Sequence, residues 1–112
     1  MNNYAAHQQL VKSFMIAFQK EFPRGRIFQR HVGLFYTVKQ VPVRINQPGM
    51  ADLWAIIDGT HFEIEAKTGT GRQTVEQKNW EKTITELKAH YVLLRDINES
   101  ISVIKKHLEN KQ

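Results

Sequence analysis

The dipeptide Asp58-Gly59 separates two stretches of opposite character, and it constrains the chain more than any other feature. Before it, Ala51-Asp52-Leu53-Trp54-Ala55-Ile56-Ile57 is an almost unbroken apolar run, the composition of a buried strand. After it, His61-Phe62-Glu63-Ile64-Glu65-Ala66-Lys67 alternates strictly. Asp-Gly between two such runs predicts a two-residue hairpin, because the favoured turn needs positive φ at both central residues. Side chains in a strand alternate, so Phe62, Ile64 and Ala66 take one face while Glu63, Glu65 and Lys67 take the other. Counted outward from the turn, Asp52 and Glu65 are each about six residues away, so antiparallel pairing sets them roughly opposite at one end of the hairpin.

The flanking segments give an α/β chain. Leu10, Val11, Phe14, Met15, Phe18 and Phe22 fall at three and four spacings, predicting an amphipathic helix from Tyr4 to Phe22 that Pro23 ends. Arg26-Ile27-Phe28 opens an extended region, and Leu34–Val38 and Val41–Val43 are further extended pieces, with Pro42 confining the latter to an edge or a connection. Asn46-Gln47-Pro48-Gly49 is a loop. Thr74 with Gln77 three residues on reads as a capping box for a helix from Val75 to about Leu87. Tyr91–Leu94 has strand length, and Ile97, Ile101, Ile104 and Leu108 mark a last helix. The expected order is α-β-β-β-α-β-α, a mixed central sheet flanked by helices in a single domain, residues 1–112.

The chain has 41% hydrophobic residues, enough for one modest core, and no cysteine, which excludes disulfides, thiolate catalysis and cysteine zinc sites. No apolar run is long enough to cross a membrane, and no leader pattern is seen, so a cytoplasmic protein is expected. Sixteen Lys and Arg against eleven Asp and Glu give a net charge of +5, which suits an acidic polymer as partner. Lys20, Arg24, Arg26, Arg30, Lys39 and Arg44 precede the candidate acids, while Lys67, Arg72 and Lys78 follow them.

Two carboxylates at one hairpin end suit a hard divalent cation, since magnesium keeps several waters and takes only one or two protein carboxylates plus phosphate oxygens. Lys67 shares the face of Glu65 and is placed to approach an attacking water or the charge that develops on phosphate. Taken alone, an acid followed two residues later by lysine is a common solvated strand face. The five histidines, at positions 7, 31, 61, 90 and 107, show no zinc-ligand spacing. Trp54 and Trp80 are expected in the core rather than as base-stacking platforms.

Pro48-Gly49-Met50-Ala51-Asp52-Leu53, Glu63-Ile64-Glu65-Ala66-Lys67-Thr68, Thr70-Gly71-Arg72 and Glu76-Gln77-Lys78, in that order, resemble the PD-(D/E)XK nuclease superfamily and within it the virus-type replication-repair nuclease (VRR-NUC) group. The resemblance is dense from about Gln47 to Trp80. It implies a restriction-endonuclease-like core, Asp52, Glu65, Lys67 and Gln77 as the catalytic set, and Mg2+ or Mn2+ held by Asp52, Glu65 and Ala66. Arg30, His31, Thr68, Arg72 and Lys78 would contact DNA. For Gln77 the capping box, for Arg72 a solvated loop charge and for His31 a position beside a turn are the plain alternatives. The chain departs from the group where a first-helix glutamate is usual: His7-Gln8-Gln9 stands there, with Glu21 near the helix end.

The implied activity is a structure-specific DNA endonuclease in a bacterial or phage-infected cell. A Holliday (four-way) junction resolvase acting as a homodimer leads the alternatives, with the first or the C-terminal helix as its dimer surface. The rivals are a monomeric flap-type nuclease, a nuclease-derived binding module without cleavage, and a plain basic interaction domain whose Asp52 and Glu65 are far apart or solvated.

Overall fold

The computed structural model describes residues 3–110. Helix α1 (Asn3–Glu21) stops where Pro23 cannot continue it, and strand β1 (Arg26–Gln29) follows. Strands β2 (Gly33–Tyr36) and β3 (Pro42–Ile45) come next, then β4 (Leu53–Ile57), β5 (Thr60–Ala66), α2 (Val75–Glu86), β6 (His90–Leu94) and α3 (Ile97–Glu109). Five strands therefore precede α2 where three were expected. The difference lies in residues 33–45, which fold back on themselves as a separate two-stranded sheet instead of contributing to the main one.

The main sheet has the order β1-β4-β5-β6 and is mixed: β4 pairs antiparallel with β1 and β5, and β6 runs parallel to β5. Its β4–β5 hairpin turns on Asp58 and Gly59, at φ +47° and +84°, as the dipeptide predicts. Leu53, Ala55 and Ile57 share a face with Phe62, Ile64, Val92 and Leu94, and this face packs on Val11, Phe14 and Phe18 of α1 and Ile101 and Ile104 of α3. The apolar stripes of both outer helices are thus used in the core, while Tyr4 and Ile16 of α1 stay exposed.

The opposite sheet face carries Trp54, Glu63, Glu65 and Tyr91. It is not the open polar face that the alternation of β5 suggests, because Trp80 of α2 reaches Glu63 and the whole run Phe62–Ala66 is buried. Helix α2 begins with the expected capping box, Thr74 Oγ1 accepting from Gln77 N at 3.1 Å and Gln77 Oε1 from Thr74 N at 2.9 Å. Trp54 is half-buried rather than enclosed, stacked between Phe28 and His61 with ring centroids 4.5 and 5.6 Å away.

Candidate metal site

Register brings the two acids together. Leu53 pairs with Ile64, so the next position outward sets Asp52 beside Glu65, where β4 has just begun and β5 is about to end. Asp52 is locked there by its own side chain: Oδ2 accepts from Ala66 N at 2.9 Å. Glu65 is 2% exposed, and its Oε2 accepts from Gln77 Nε2 at 3.1 Å. Lys67 Nζ stands 3.9 Å from the same oxygen. The single Gln77 amide therefore caps α2 with its oxygen and orients Glu65 with its nitrogen.

The helix-1 contribution is His7. Its Nε2 lies 3.1 Å from Asp52 Oδ2, across 45 residues of sequence. Ligand atoms of His7, Asp52 and Glu65 all fall within 4.8 Å of one another. Glu21 is taken up by an ion pair with Lys105. Among the described residues, Oε1 of Glu65 is a buried carboxylate oxygen with no hydrogen-bond partner. Burial, and then the Asp52 carboxylate beside it, push Glu65 up to about 8. A carboxyl so placed holds its proton until a cation replaces it.

Behind the site sits a second buried acid. Glu63, fully buried, accepts from both Arg30 guanidinium nitrogens at 2.6 and 3.0 Å, from Trp80 Nε1 at 2.8 Å, and lies 2.5 Å from His61 Nε2. Burial alone would raise its pKa, yet the hydrogen bonds from Arg30, His61 and Trp80 together with the Arg30 charge hold it below the ordinary value. Arg30 also donates from its side chain to Ala51 O at 2.9 Å and from its backbone to Asp52 O at 2.7 Å. It is a brace for the start of β4 rather than a group turned toward solvent, with a side chain 10% exposed.

The other sequence candidates divide. Thr68 is half-buried in the loop beyond Lys67, where its carbonyl accepts from Gly71 N, while Arg72 and Lys78 are exposed. His31 is exposed and offers its carbonyl to Asn46 Nδ2. Two clefts, of about 560 and 800 Å3, meet at the cluster, with Tyr4, His7, Asp52 and Gln77 lining both. Thr68 borders the second and His31 the first.

Sequence reasoning missed Glu63 as a buried anchor, Arg95, and the role of Gly49. Arg95 donates to the carbonyls of Gly69 and Gly71 at 3.3 and 2.6 Å, fixing the loop after Lys67; its position after β6 carried no signal for this. Gly49 sits at φ +90°, and a Cβ there would come within 2.3 Å of the Glu76 carbonyl oxygen, so the Pro48-Gly49 turn presses directly on α2. The glycine in the Pro-Gly turn was the available signal. No protein-family model matches the chain, and no curated protein matches it.

Proposed function

We propose that this chain is a metal-dependent endonuclease that hydrolyses DNA phosphodiester bonds, on a restriction-endonuclease-like core of the VRR-NUC kind. One observation carries the reading: His7, Asp52 and Glu65 converge on one point while a buried Glu65 oxygen goes without a donor among the described residues. Leaving a buried carboxylate oxygen without a partner costs on the order of 1–3 kcal/mol or more, and a cation at that point removes the cost. The donor set fits a divalent ion, two carboxylates and one imidazole, with the main chain of Ala66 beside them. Carboxylates suit Mg2+ and Mn2+, and the imidazole favours Mn2+ of the two. Topology supports the core, an antiparallel hairpin bearing the acids followed by a helix and a parallel strand.

When bound, the ion would supply Lewis-acid charge at the phosphate and an acidified water. The rest falls to the chain. Gln77 fixes the rotamer of Glu65, and Ala66 N fixes Asp52. Lys67, on the face of Glu65, is placed to hold the attacking water or to meet charge developing on the non-bridging oxygens. Thr68, which borders the cleft beyond β5, and the exposed Arg72 and Lys78 take the flanking phosphates, giving position rather than sequence readout. Branched DNA, a four-way junction above all, is the proposed substrate, because a domain of this size has little surface for reading base sequence.

A binding module without cleavage is favoured by one specific observation, the His7–Asp52 contact, which satisfies Asp52 with no metal. Labelled four-way, flap and linear DNA, incubated at low salt with Mg2+ or Mn2+, separates the two readings. Expected is metal-dependent cutting, fastest on the four-way substrate, that Glu65→Ala and Lys67→Ala abolish while DNA binding survives. Binding without cutting under either metal would leave the module.

A further inference from the structure

Tyr4 stands where the two clefts meet, and it is 74% exposed. It precedes His7 by three residues and Gln8 by four, so the three side chains share one face of α1, and His7 brings that face to Asp52. The core makes no use of the Tyr4 ring, which stacks on no other aromatic ring among the described residues. An unengaged aromatic face therefore lies one helical turn from the candidate metal centre.

The two clefts differ in chemistry. The larger, of about 800 Å3, is lined by Lys67, Thr68 and the turn through Gly69 and Gly71, a cation, a hydroxyl and bare main chain that suit a phosphate. The smaller, of about 560 Å3, does not suit one. Glu76 lines it, and its arginine, Arg30, is already paired with Glu63. What it offers instead is a second aromatic ring, Phe35, which is 42% exposed, and two amides. Gln29 Nε2 donates to Gln8 Oε1 at 3.5 Å, a long bond that leaves an amide NH2 on Gln8 and an amide oxygen on Gln29 available. A flat aromatic group with donors and acceptors along its edge matches such walls, and that is the description of a nucleobase. The volume lies within the ~300–1,000 Å3 of ordinary small-ligand pockets.

We propose that the smaller cleft is a subsite for one unpaired base of the substrate strand, stacked on Tyr4 and bonded at its edge by Gln8 and Gln29. The neighbouring phosphate then lies at His7, Asp52 and Glu65, and the strand continues past Lys67 into the larger cleft. Stacking is tolerant of sequence, because every base has a π face. It is not tolerant of pairing. A base inside a duplex must be unpaired and unstacked before it enters, at a cost that is least where the strand is already single or its stacking is interrupted. A branch point provides such a base, so the subsite selects branched over continuous duplex DNA by demanding a free base rather than a given sequence. The inference rests on the nuclease reading for the placement of the phosphate, while the base subsite itself is tested by binding alone.

The test is fluorescence anisotropy with EDTA present, so that no cutting occurs, on a labelled single strand of about 12 nucleotides and a duplex of equal length. The full chain is compared with Tyr4→Ala, Tyr4→Phe and, as control, Ile16→Ala, an exposed apolar residue of α1 that lines neither cleft. Tyr4→Ala should weaken binding of the single strand by about tenfold with little effect on the duplex and an unchanged salt slope, since no phosphate contact is lost. Tyr4→Phe should restore the affinity, and Ile16→Ala should leave it as it was. In a branched substrate, an abasic site at one nucleotide beside the branch should weaken the native chain and not Tyr4→Ala, the coupling expected of a direct contact. Equal losses on strand and duplex, a phenylalanine no better than alanine, or an abasic penalty that persists in Tyr4→Ala would each overturn the proposal. Failure of the nuclease reading looks different: the native chain shows this binding pattern yet cuts nothing when Mn2+ is added.

Discussion

Gln77 donates Nε2 to Glu65 at 3.1 Å while its Oε1 closes the capping box of α2 on Thr74 N, so a single amide joins the helix start to the buried acid. The two roles can be separated by substitution. Gln77→Ala should cost about 1 kcal/mol of stability from the lost cap and lower cleavage about 10- to 100-fold. Gln77→Glu keeps an acceptor for Thr74 N but has no donor for Glu65, so it should recover most of the stability and little of the rate. Urea denaturation beside a cleavage time course checks both, and a Gln77→Glu chain cutting at the native rate would show that the contact to Glu65 is incidental.

Glu65 makes stability and metal response depend on pH in a defined direction. Its folded pKa, raised to about 8 from an ordinary 4.5, means that the folded chain keeps a proton which the unfolded chain has released across that interval. The associated stability is full below the lower value and is lost as pH rises through the upper one. A divalent ion takes the proton's place, so the rise in Tm on adding Mn2+ should be larger near pH 8.5 than near pH 6. Glu65→Gln should flatten the difference. Equal Mn2+ increments at both pH values in the native chain would count against Glu65 as a ligand.

Arg30 and the exposed cations should separate cleanly. Arg30→Ala leaves the fully buried Glu63 without its main partner, which points to a loss of about 3–5 kcal/mol. Arg72→Ala and Lys78→Ala, on exposed side chains, should leave stability within about 0.5 kcal/mol and each reduce the salt slope of DNA binding by about one phosphate contact. Thermal melts and salt titrations of the three variants give the comparison. Native-like stability in Arg30→Ala would remove its role as a brace.

Local pattern made the hairpin legible: Asp58-Gly59 gave the turn, and counting from it placed Asp52 opposite Glu65. The capping box was equally local. What escaped was everything that depends on packing between distant segments. His7 meets Asp52 across 45 residues and Arg30 meets Glu63 across 33, distances over which no periodicity reports. The alternation of β5 separates its two faces, yet it does not say that α2 covers the acidic face and buries Glu63 and Glu65. Residues 33–45 have strand composition throughout, and composition does not say which strands they join.

Gly49 links the Pro-Gly turn to the site. Gly49→Ala forces both a positive φ on alanine and a collision with the Glu76 carbonyl, so about 2 kcal/mol or more of stability should be lost. The loop must then shift, and with it Asp52 relative to Gln77, so metal affinity should fall further than the stability loss explains. Denaturation and metal titration of the variant test this; a neutral Gly49→Ala would mean that the turn does not set the position of Asp52.

The most direct measurement is electron paramagnetic resonance of Mn2+ titrated into the full chain near pH 8.5, with Asp52→Asn and Glu65→Gln alongside at matched circular dichroism. The expected result is loss of the free-ion signal on binding to the native chain and its persistence with either variant. A free-ion signal undiminished by the native chain, or one that either variant diminishes as fully as the native chain does, would contradict a metal site at His7, Asp52 and Glu65.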